Sequence, residues 1–88
     1  MEAGVLSDRR LGRFRIDLEI INESPEVVRR VMRDVIVIRA ETMLMDAVID
    51  YHAQCEAFDP VPQGEEAPAY DILYDVEADT VSWERKES

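Results

Sequence analysis

The stretch from Ser24 to Phe58, SPEVVRRVMRDVIVIRAETMLMDAVIDYHAQCEAF, decides the fold. It opens with a helix signal. Ser24 suits the N-cap, Pro25 suits the first helical position, where no N–H is needed, and Glu26 favours the positive end of the helix dipole. Glu26 also precedes Arg29 and Arg30 by three and four residues, the favourable order for helix ion pairs. Where this helix stops has two readings. In one it ends near Asp34, and Val35-Ile36-Val37-Ile38 forms a short buried strand, because β-branched runs favour strands. In the other it runs unbroken to about Phe58. The second is preferred, since no Gly, Pro or Asn stands between Pro25 and Pro60 to mark a turn. The apolar positions also keep heptad step, with Val28, Val35, Thr42 and Ile49 in one series and Val31, Ile38, Met45 and His52 in the other.

A helix from Ser24 to Phe58 would be about 50 Å long at about 1.5 Å per residue. A compact chain of 88 residues has a radius of gyration of about 12 Å, hence a diameter of about 30 Å. Around Val35–Ile38 the helix would be apolar on every side, which signals burial all round. Three short strands cover one side only, and a second copy is the simplest cover for the other. This reading predicts a homodimer whose interface holds Val28, Val31, Val35, Ile38, Met45, Ile49 and His52.

Outward from this stretch, residues 1–12 read as a flexible lead, with Gly4 and Gly12 near its ends. Residues 13–88 read as one α+β domain. Phe14, Ile16, Leu18 and Ile20 alternate with Arg13, Arg15, Asp17 and Glu19, the period of a strand with one buried face. Residues 59–69 hold three prolines and Gly64, which excludes regular structure. Tyr70, Ile72, Tyr74 and Val76 then alternate with Asp71, Leu73 and Asp75. Glu77-Ala78-Asp79-Thr80 reads as a turn, and Val81–Arg85 as the return strand. The expected order is strand, one long helix, loop and C-terminal β-hairpin. The first strand and the hairpin are expected to make a three-stranded antiparallel sheet packed on the helix, with Trp83 and the tyrosines facing it.

Charge is split along the chain. Residues 1–39 carry eight arginines against seven acids, a net +1; residues 40–88 carry Arg85 and Lys86 against thirteen acids, a net −11. An acidic half argues against direct binding to nucleic acid or anionic membrane and for a basic partner, such as a nucleic-acid-handling protein. Cys55 is alone, so no disulfide is expected, and a reducing, cytoplasmic setting fits. Residues 1–7 are too short and too weakly apolar for a signal peptide. No run of 18 apolar residues occurs. Asn22-Glu23-Ser24 matches a glycosylation acceptor, but Ser24 reads better as a helix cap.

Several constellations bear on chemistry. His52 and Cys55 would share a face of the long helix, yet a zinc site needs about four ligands and a nucleophilic dyad needs an oxyanion hole. Asp75, Glu77 and Asp79 have the rhythm of a calcium loop, but Thr80 stands where its Gly belongs and Lys86 where its last Glu belongs. Asp46 and Asp50, one turn apart on the helix, read as a solvated or partner-binding face. Arg9, Arg10, Arg13 and Arg15 read as neutralising the acidic half, with a patch for a phosphate-bearing ligand as the alternative. No catalytic residue, metal or cofactor is expected.

Small size, strong acidity, a long helix, a small sheet and no cofactor motif resemble small phage-encoded accessory proteins of the anti-CRISPR and anti-defence inhibitor type. The resemblance implies a non-enzymatic protein that blocks a basic, nucleic-acid-handling host protein, with DNA mimicry as one route. Asp46, Asp50, Glu65, Glu66, Asp71, Asp75, Glu77 and Asp79 are the candidate partner-binding acids, with Tyr70 and Tyr74 as anchors if they turn outward. The alternatives are an oligomeric sponge for a small anionic nucleotide and a structural or assembly subunit.

Overall fold

The computed structural model describes residues 9–86. The element order is β1 (Leu11–Asp17), α1 (Leu18–Glu23), α2 (Pro25–Met32), β2 (Ile36–Met43), β3 (Val48–Gln54), β4 (Tyr70–Asp75) and β5 (Thr80–Arg85). The protein is α+β, with an antiparallel sheet in the order β1-β3-β2 and a second, two-stranded sheet β4-β5. The lead expected over residues 1–12 lies outside the described residues as far as residue 8. Arg10 already bridges to Pro60, and Leu11 and Gly12 already belong to β1.

β1 follows from its alternation. Gly12, Phe14 and Ile16 point inward and are buried, while Arg15 and Asp17 point out. The strand ends at Asp17 rather than running to residue 21. Its partner β3 begins at Val48, so the ladder closes on the pair Asp17–Val48. The next N–H, of Leu18, bonds to the Ala47 carbonyl at 2.9 Å, and the chain turns into α1. Pro25 then breaks the helical ladder, because it has no N–H to offer the carbonyl four residues back. Ser24 stands between the two helices as N-cap of α2, without a side-chain capping bond.

α2 is short, and the unbroken helix to Phe58 is overturned. Val27, Val28 and Val31 face the core, Arg33 and Asp34 make a turn, and Ile36–Met43 is a strand. This is the other reading of the β-branched run, with one difference: the strand is exposed instead of buried. The turn that sends β2 back into β3 is Leu44-Met45-Asp46-Ala47. It contains no Gly, Pro or Asn; Ala47 itself takes the left-handed conformation, φ 56°.

The heptad series therefore does not form a helical seam. Val28 and Val31 lie on α2, Val35 precedes β2, Ile38 is on β2, Met45 is in the turn, and Ile49 and His52 are on β3. Val31, 2% exposed, is buried within its own chain. The expected three-stranded sheet is also rearranged. β1 pairs with β3, from Leu11–Gln54 to Asp17–Val48, and not with the C-terminal hairpin.

The hairpin instead packs over the inner face of β1 and β3. Trp83 from β5 joins two aromatic pairs. Its ring lies 5.0 Å from Phe14, which stacks on Tyr51 at 5.2 Å, and 5.0 Å edge-on from Phe58, which stacks on Tyr70 at 4.4 Å. Val31, Ala53 and Cys55 complete the buried cluster. Offset and edge-to-face rings of this kind add about 0.5–1.5 kcal/mol per pair beyond their buried area.

The two edges of the main sheet differ. The loop over residues 59–69 straps the β1 edge. Val61 N–H bonds to the Arg9 carbonyl at 2.8 Å, and Arg13 N–H bonds to the Pro68 carbonyl at 2.8 Å. Among the described residues, nothing similar covers the outer edge of β2.

Candidate functional site

The register of β4 against β5 sorts the hairpin into two faces. Ile72–Trp83 and Tyr74–Val81 face the core; Asp71–Glu84, Leu73–Ser82 and Asp75–Thr80 face solvent. The outer face is thus a small apolar spot, Leu73 (48% exposed), between Asp71 and Asp75, with Glu84 across from Asp71. The turn adds Glu77 and the exposed Val76.

Some of these acids have internal duties. Asp75 Oδ1 accepts from the backbone N–H groups of Glu77 and Ala78 at 3.1 and 3.3 Å and so holds the turn. Asp79 takes the left-handed conformation, φ 54°, receives the Tyr74 hydroxyl at 3.0 Å and lies 3.5 Å from Arg30. Asp71 lies 3.5 Å from Lys86. The hydrogen bond to Asp79, followed by burial, raises the Tyr74 phenol above its ordinary pKa. The Asp75 and Asp79 oxygens bond protein N–H and O–H groups, and among the described residues no three His, Cys, Asp or Glu side chains converge as a metal site would need. They form a turn rather than a calcium loop.

Asp71, Asp75, Glu77 and Asp79 therefore come together on one hairpin. The other candidate acids do not join them on an element. Asp46 lies in the β2–β3 turn, Glu65 and Glu66 lie in the strap, and Asp50 is on the outer face of the main sheet. Asp46 and Asp50 do not share a helix face, since β3 begins between them. Tyr70 is no outward anchor. It is buried, and its hydroxyl accepts the Asp59 N–H at 2.8 Å. Tyr74 is half-buried and leans on α2, lining a recess with Glu26, Arg29 and Arg30. Glu84 and Leu73 were missed as surface partners. The signal was present in the alternation of Val81 and Trp83, which sends Ser82 and Glu84 outward.

His52 and Cys55 part company. Three residues apart on an extended chain they point to opposite faces. His52 sits on the outer face between Arg13 and Arg39, and Cys55 is buried in the core.

The four arginines are divided as well. Arg10 donates to the Phe58 carbonyl at 3.1 Å and Arg13 to the Ala67 carbonyl at 2.9 Å, so both hold the strap. Arg13, Arg15, Asp50 and Lys86 line a cleft of about 140 Å³. Ligand pockets typically hold about 300–1,000 Å³. Among the described residues, no helix is long and apolar enough to cross a membrane. Comparison with protein-family models, curated proteins and solved structures gives no match.

Proposed function

We propose that this protein is a non-enzymatic binding protein that docks on a basic protein surface through the outer face of its C-terminal hairpin. The observation that carries this reading is Leu73, an exposed apolar side chain ringed by Asp71, Asp75 and Glu84. An apolar centre excludes water at an interface, and a mainly acidic rim, in which Lys86 stands 3.5 Å from Asp71, steers the complementary partner and rejects like-charged surfaces. The net charge of −10 extends that steering field beyond the hairpin. A partner that normally attracts phosphate fits this pattern best, and occupying its groove would inhibit it. Of the traits shared with small phage-encoded inhibitors, small size and strong acidity accord with this reading, while the long helix is replaced by two short ones, and a reducing cytoplasm suits the buried lone cysteine. The nucleotide-sponge alternative has little support, because the cleft beside Arg13 and Arg15 is small and carries Asp50.

The test is capture of a partner from cell lysate on the tagged protein, eluted by a salt gradient. The control bait carries Asp71→Lys, Glu77→Lys and Glu84→Lys, which spares the turn-forming Asp75. The expected result is a basic protein that DNA displaces and that the control bait does not hold, with both baits equally folded by circular dichroism. Equal capture by the two baits would overturn the reading.

A further inference from the structure

Among the described residues no loop hydrogen-bonds to the outer edge of β2, and exposed apolar residues of the main sheet are concentrated there. Ile36 is 66% and Ile38 59% exposed, and the adjoining turn carries Leu44 at 79% and Met45 at 98%. An apolar edge strand invites pairing with another strand. The β1 edge is protected by hydrogen bonds from the strap, so the exposure of β2 is specific to one side.

We infer that a second copy of this chain covers it, with β2 pairing antiparallel to β2 about a two-fold axis at Ala40. The argument is self-complementarity. A two-fold axis perpendicular to an antiparallel ladder places one residue opposite itself. With Ala40 in that place, Arg39 lies opposite the partner's Glu41 and Glu41 opposite the partner's Arg39. Both side chains are on the same outer face, because Arg39 pairs with His52 and Glu41 with Asp50. The two opposite-charge cross-strand pairs stabilise the contact. Moving the axis by one residue sets Arg39 against Arg39 or Glu41 against Glu41, so charge selects the register.

The apolar residues then find partners. β2 has a bulge between Val37 and Arg39, which shifts its register against β3 by one residue. Keeping inner and outer faces matched past the bulge sets Val37 opposite the partner's Thr42 and Ile36 opposite the partner's Met43. The partner's Leu44 and Met45 follow, beside Val35 and Asp34. That is the mouth of the largest cleft among those described, about 540 Å³, lined by Asp34, Ile36, Cys55, Val81 and Trp83. Methionine packs well against aromatic rings and fills irregular gaps. One symmetry operation thus joins three strands from each copy into a continuous six-stranded sheet, sets Ile36 and the Leu44-Met45 turn against the partner, and leaves Ile38, the extra residue of the bulge, without a direct opposite. This inference stands apart from the hairpin reading, since it uses the other sheet.

The test is sedimentation equilibrium of the whole protein over a concentration series, for the wild type, Arg39→Glu, Glu41→Arg and the double exchange. Each single reversal turns two attractive pairs into two repulsive ones and weakens the dimer about tenfold or more. The double exchange returns its dissociation constant to within about threefold of wild type. Circular dichroism melting confirms that each variant is folded. Leu44→Ser with Met45→Ser, on a solvent-exposed turn, also weakens the dimer. A wild-type monomer across the series, or a dimer indifferent to the single reversals, overturns the inference. So does a folded double exchange that stays monomeric.

Discussion

The Tyr70 hydroxyl accepts a hydrogen bond of 2.8 Å from the backbone N–H of Asp59, eleven residues earlier. That bond joins the start of the strap to the first residue of β4, while the Tyr70 ring stacks on Phe58. The strap is thus held by a core aromatic, and by Arg85, which meets the Asp59 carboxylate at 2.9 Å. Tyr70→Phe keeps the ring and leaves the Asp59 N–H without this acceptor. The expected cost is about 1–2 kcal/mol in urea unfolding, with faster proteolysis within residues 59–69. Unaltered stability and cleavage would show that the strap does not depend on this bond.

Gly12 is required by packing. A Cβ there would lie 2.8 Å from both the Phe58 and the Tyr70 rings, which are rigid and stacked on each other. Gly12→Ala is expected to destabilise by about 1–3 kcal/mol through overpacking, read as a lower denaturation midpoint at unchanged slope. A neutral substitution would mean that the ring pair shifts freely.

Ala47 holds a left-handed conformation at the β2–β3 turn, φ 56°. For an L-residue this costs about 1–2 kcal/mol, and glycine occupies the same region freely while losing more entropy on folding. Ala47→Gly is therefore expected to stabilise by about 0.5–1 kcal/mol, measured by thermal unfolding. A lower melting temperature would contradict the turn geometry.

Alkaline pH provides a further check. Tyr74 donates to Asp79, and Tyr51 is partly withdrawn from water by burial; both phenols are raised above their ordinary pKa. A phenol raised in the folded state favours folding fully below its unfolded pKa of about 10. That contribution is lost as pH rises through the higher folded value. Ultraviolet titration should show tyrosinate forming late in the folded protein. Tyr74→Phe should remove part of the alkaline loss of stability, and an unchanged alkaline profile would discount the Tyr74–Asp79 bond.

Much of the candidate surface was legible locally. The alternation from Tyr70 to Val76 and from Val81 to Arg85 implied a hairpin with one polar face, and Asp71, Asp75, Glu77 and Asp79 are on it. What was not legible is which acids are engaged within the chain. Asp79 reaches Arg30 of α2, 49 residues earlier, and no local pattern contains that contact.

The sequence by itself determined the local elements with strong punctuation. These are the alternation of β1, the helix start at Ser24-Pro25-Glu26, the proline-rich strap and the terminal hairpin, each set by steric and hydrogen-bonding rules acting over a few residues. Only the tertiary structure decided the segment from Val35 to Gln54. Its apolar spacing satisfies a helix and a strand pair about equally, and its turn uses an alanine where a glycine would have signalled a break. Pairing β3 with β1 on one side and β2 on the other resolved that tie. Burial of Phe14, Ile16 and Ala53 depends on strands brought together from distant parts of the chain.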